Sequence, residues 1–218
     1  MISLLRYAMA TVGHSQRYLP PTILFIAVMA VFTSNDSGPL VPVYAVSSAA
    51  VFVCGTWLTM AVLNAGDPAQ RPITVVNAGG SGRVLLASVW VAVVGCALLS
   101  LIGLLFPLVT GRHPVEVSVL ALGLLAELTG GCTAVAVGLL CSRLVIRRSG
   151  YAAVVSLGAM FLLAVVPGLP PVNPVFRLLA GDRQPVALLL PVVAFGLVSV
   201  VLLAGSTALT GFVAARRD

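Results

Sequence analysis

Residues 84–109 and 185–213 contain no charged side chain at all. A stretch of about 20 apolar residues is the length that crosses a bilayer as one helix, so such runs leave few choices of fold. Four further runs, at 19–33, 40–63, 115–141 and 151–167, are also predominantly apolar, with Glu116 and Glu127 their only charges, and the first is short. The chain of 218 residues is 60% hydrophobic and 8% charged, against about a quarter charged in soluble domains. No water-soluble fold of this size covers that much apolar surface. The sequence therefore predicts an all-α membrane protein with six transmembrane helices.

The basic residues set a direction for those helices. All twelve are arginine, and lysine is absent. With six passes, Arg6, Arg17, Arg71, Arg83, Arg143, Arg147, Arg148, Arg216 and Arg217 fall on one side. Arg112, Arg177 and Arg183 fall on the other, among Asp36, Glu116 and Asp182. The positive-inside bias then predicts that both termini are cytoplasmic. It also puts the polar gap 64–83 in the cytoplasm. The missing lysine excludes a Walker A loop, which needs that residue on the nucleotide phosphates.

Residues 1–18 are expected to lie along the inner membrane surface as an amphipathic helix, ahead of a membrane domain at 19–218. Ile2, Leu5, Met9 and Val12 recur at helical spacing, while Arg6, His14 and Arg17 suit lipid headgroups. Nothing in this stretch reads as a cleaved signal peptide, because it lacks a continuous apolar core and a small-residue cleavage site. Pro20 and Pro21 suggest a break between this helix and the first span.

The gap NAGDPAQRPITVVNAGGSGR contains the signals of a short helix. Asp67 is a good N-cap and Pro68 suits the first helical position. Ala69, Gln70, Arg71, Pro72, Ile73 and Val76 continue the helix, and Asn77 with Gly79 and Gly80 supplies a left-handed stop. Two or three turns are too few to persist alone in water. Such a helix rests on lipid headgroups or docks in a groove of a partner protein.

Taken together, the amphipathic N-terminus leading through RYLPP into the first span and the capped DPAQR helix after the second resemble a known layout. So do the hairpin of the third and fourth spans and the broken GLPPVNPVFRLLAGDRQ segment before the sixth. The chain resembles the permease subunit of type 2 ABC transporters, a bacterial exporter class. The resemblance implies that 67–76 is a coupling helix seated in the cleft of an ATPase subunit, with residues 2–17 as a second contact. It further implies two separate ATPase subunits binding ATP and Mg, and a second permease subunit, either identical or a paralogue. On this reading the chain is not itself an enzyme, needs no cofactor, binds no nucleic acid, and exports a drug, lipid, peptide or other small amphiphile. The alternatives are an assembly or immunity factor without an ATPase, or a proton-coupled secondary transporter.

The last alternative rests on Glu127, the one carboxylate deep in an apolar run. An ionisable residue inside a membrane is costly and marks function by default. Glu127 is expected to bind a cationic substrate, relay protons, or stay neutral against Thr129 or Thr133 on its own helix. His14 and His113 are far apart and form no metal-ligand spacing. Cys54, Cys96, Cys132 and Cys141 have no CxxC pattern and read as small apolar residues. No hydrolase, metalloprotease or kinase motif is present. Ser88, Gly95, Ser100, Gly103, Gly130, Gly131, Gly205, Thr207 and Gly211 are expected on faces where helices pack closely. Residues 170–184 are expected outside, as a gate or as a fixed cap.

Overall fold

The computed structural model describes residues 2–33, 38–66, 71–111, 116–146, 148–181 and 184–216. They form α1 (Ile2–Ser15), α2 (Leu19–Thr33), α3 (Leu40–Leu63), α4 (Arg71–Ala78), α5 (Ser81–Thr110), α6 (Val117–Leu140), α7 (Ser149–Val165), α8 (Val172–Leu179) and α9 (Pro185–Ala215). No strand occurs among the described residues. The helices α3, α5, α6 and α9 are long and apolar enough to cross a membrane. The bent pair α1–α2 passes the same test when taken together, and α7, with 17 residues, is shorter. The chain is thus an all-helical, multi-pass membrane protein with four or five candidate spans.

The centre of the bundle is the parallel pair α3 and α6, and a row of glycines explains how close they come. A Cβ added at Gly123 would sit 2.7 Å from the Tyr44 ring, and one at Gly138 would sit 2.6 Å from Thr59 Cβ. At Gly130 it would meet the backbone oxygen of Ser48 at 2.7 Å. Lipid tails offer no hydrophobic drive between helices, so close backbone approach and dispersion must supply the attraction. Gly95 and Gly103 let α5 pack in the same way, against Leu58 of α3 and against Ser47 and Glu127. Gly131 and Gly211 make ordinary contacts, whereas Gly205 faces open space.

Around this centre, α9 packs on α6, α2 lies against α3 and α5, and α7 touches α3, α6 and α8. The outer helices leave large apolar side chains uncovered, including Leu190, Val201, Phe161 and Val31. Among the described side chains of α7, Ala152, Ser156 and Met160, at spacings of four, are the buried ones.

At one end of the bundle, α8 lays Val175 and Leu179 onto α3, α6 and α9, beside Tyr44, Leu122 and Leu188, while Val172 is buried in the neighbouring part of the core that holds Met160. Asn173 Nδ2 donates to the Ala164 carbonyl near the end of α7 at 2.6 Å. The segment expected outside, 170–184, thus contains a helix, Val172–Leu179. Its apolar face is occupied by the bundle itself. Arg177 is at this end.

Candidate functional site

The opposite end carries both short elements that the sequence marks as contacts. There the axis of α1 meets that of α2 at 72°. The corner falls at Gln16, with φ 52°, and the Leu19 N–H closes a turn on the Gln16 carbonyl at 3.1 Å. Pro20 and Pro21 do not make the break. They occupy the first turn of α2, where a missing N–H is harmless.

The inward face of α1 is built from Leu5, Ala8 and Val12, which pack against the core, chiefly beside α5. Met9 is 48% exposed and points away, while Arg6 and Tyr7 are also exposed. Of the expected apolar stripe, Leu5 and Val12 hold the helix to the bundle and Met9 does not. Arg17 acts at the corner. Its Nη1 donates to the Asn64 carbonyl at 2.7 Å, setting a cation on the C-terminus of α3, where the helix dipole favours it.

Asn64 joins three parts of this end. Besides accepting from Arg17, its Oδ1 accepts the Arg143 backbone N–H at 3.4 Å, and its own N–H ends α3 on Met60. Sequence reasoning missed it, since a lone asparagine after an apolar run reads only as a helix stop.

The short helix expected in the gap is present as α4. Its stop is as expected: the Gly79 N–H donates to Val76 and the Gly80 N–H to Val75, at 3.2 and 3.0 Å. These paired bonds form a Schellman cap, with Gly79 at φ 74° and Gly80 at φ 137°. Arg83 Nη1 adds a bond to the Ala78 carbonyl at 3.3 Å. The expected start, Asp67, Pro68, Ala69 and Gln70, lies outside the described residues. Arg71, Pro72 and Ile73 form the first turn of α4. Val76 is 79% exposed, held outward at the end of a helix fixed at its C-terminus.

A groove of about 400 Å³ runs between these elements. Leu4, Ala8 and Val12 form one wall, Val62 and Leu85 the other, and Arg143 stands at its edge.

The remaining candidate, Glu127, lies elsewhere. It is fully buried where α3, α5 and α6 meet. Neither of its carboxylate oxygens completes a hydrogen bond, nor does the Ser47 hydroxyl that shares its space beside Gly103. The neutral partners expected on its own helix face elsewhere. Thr129 Oγ1 donates to Leu125 and Thr133 Oγ1 to Thr129, each at 2.7 Å. Ser100 Oγ reaches the backbone oxygen of Glu127 at 3.2 Å. The sequence marked Gly103 only as a packing position and did not point to Ser47, because their relation to Glu127 is between helices.

Among the described residues, no three His, Cys, Asp or Glu side chains gather as a metal site. The four cysteines are free thiols, and Cys96 Sγ donates to the Gly55 carbonyl at 3.7 Å. His14 Nδ1 lies 3.0 Å from the Ala10 carbonyl on α1. Arg112, His113, Arg147, Arg183, Arg217, Asp36 and Asp182 lie outside the described residues.

No protein-family model, no curated protein and no solved structure matches the chain.

Proposed function

We propose that this chain is the permease subunit of an ATP-driven exporter of the type 2 ABC class, working with a second permease subunit and two separate ATPase subunits. The observation that carries this reading is the shared position of α1 and α4. Both lie at one end of the bundle, anchored by one face, and each holds an apolar side chain outward, Met9 on α1 and Val76 on α4. An anchored short helix with a free apolar residue suits a groove on a partner. ATP-driven closure of the ATPases would move both α4 helices, and the paired bundles would shift at their seam to release an amphiphile, drug, lipid or peptide outward.

In this reading α2 and α7 complete six passes, and the end with α1 and α4 faces the cytoplasm of a bacterial inner membrane. The arginines support that direction: Arg6, Arg17, Arg71, Arg83, Arg143, Arg148 and Arg216 belong to that end, and Arg177 to the other. Isolation of the full chain from its native membrane tests the proposal. An ATPase subunit should accompany it, and vesicles holding both should export only with ATP. A preparation that transports with no ATPase present overturns the reading.

Glu127 favours a second reading, proton-coupled transport, because its buried carboxylate has no completed hydrogen bond. Under fixed ATP supply, loss of transport in Glu127→Gln would support a role for the carboxylate. Unchanged transport would remove it.

A further inference from the structure

We propose that the groove beneath α1 binds one anionic phospholipid, with an acyl chain between the apolar walls and the phosphate at Arg143. The inference rests on the membrane character of the chain and is independent of the ATPase reading.

The groove, about 400 Å³ and open along one side, has room for one lipid tail. Its walls agree, since Leu4, Ala8 and Val12 face Val62 and Leu85 across it.

Charge selects the headgroup. Among the described residues, none that lines the groove is acidic. Asn64 at the lip accepts from the Arg17 side chain and from the Arg143 backbone, which leaves the Arg143 guanidinium on the exposed edge. Two cations from distant parts of the chain thus meet at one lip. The location suits the same ligand: α1 lies steeply across the axis of α2, the attitude of a helix in the interfacial plane. Arginine pairs well with phosphate there, because its planar fork gives two parallel hydrogen bonds.

The test uses the full chain in neutral detergent, with lipid retention read by native mass spectrometry. Phosphatidylglycerol should be retained about tenfold better than phosphatidylcholine. Arg143→Gln should bring the two within about twofold, and Arg143→Lys should keep most of the preference. Ala8→Phe, which fills the groove, should lower retention of both lipids. Equal retention by the unaltered chain, or an unchanged preference in Arg143→Gln, overturns the proposal. So does displacement of phosphatidylglycerol by millimolar glycerol phosphate, which would place an anion site outside the groove. A co-purifying protein that excludes lipid from the site would overturn it as well. If Ala8→Phe fails to fold, the surface variant Arg143→Gln still decides the question.

Discussion

At the scale of single residues, the bundle depends on positions where a methyl group is too much. Gly130 is the most demanding, because the atom facing it is a backbone oxygen of α3, which cannot rotate aside. Gly130→Ala should lower stability by about 1–3 kcal/mol, the usual cost of overpacking, read as thermal unfolding in detergent. Gly158 on α7 has nothing within 4 Å, and Gly158→Ala should hold or raise stability by up to about 1 kcal/mol through helix propensity. Equal effects at the two sites would mean that α3 and α6 do not meet at Gly130. Glu127 poses a different problem, because a buried charge costs more than a buried amide. Glu127→Gln keeps the shape and should leave unfolding within about 1 kcal/mol of the parent. A larger loss would show that the carboxyl group holds a bond absent from this arrangement of Ser47 and Gly103.

At the scale of elements, α4 shows what local sequence could specify and where it stopped. Its end was legible because Asn77, Gly79 and Gly80 act through backbone conformation, which depends on neighbours in the chain. The placement of α1 was half legible. Periodicity identified Leu5 and Val12, but Met9 sits at the margin of the same stripe, and only the position of α5 decides which way the helix rolls. The relations of Asn64 to Arg17 and of Glu127 to Ser47 were not legible. Each joins residues far apart in the chain, and no local rule encodes that. The exposed position of Val76 leads to a prediction for the element as a whole. Val76→Glu should leave unfolding within about 0.5 kcal/mol, as for other exposed sites. It should lower recovery of the accompanying ATPase at least tenfold when the chain is used as bait. Recovery unchanged by this substitution would exclude α4 as the docking element, even if an ATPase is present.

At the scale of the whole molecule, the apolar runs foretold helices more surely than passes through the membrane. At 1.5 Å per residue, α2 with 15 residues and α7 with 17 extend about 22 and 26 Å. The hydrocarbon core is about 30 Å thick, so these two need their flanking turns, or a locally thinner bilayer, to cross it. Composition alone does not reveal that shortfall, since both are as apolar as the longer helices. The arrangement of ends offers a direct measure. If α2 and α7 both cross, the end with α4 and the end with α8 face opposite compartments, and the arginine bias puts α4 inside. The native thiols are deep or half-buried, so replacing them with alanine or serine gives a background for single reporters at the exposed positions Val76 and Arg177. In intact cells, a membrane-impermeant maleimide should label Arg177→Cys and spare Val76→Cys until the membrane is opened. Reversed labelling would invert the molecule and place α4 beyond the reach of any cytoplasmic ATPase. Labelling of both from outside would mean that an even number of passes separates the two positions, and that α7, the short helix among α5, α6 and α7, rests on the membrane without crossing it.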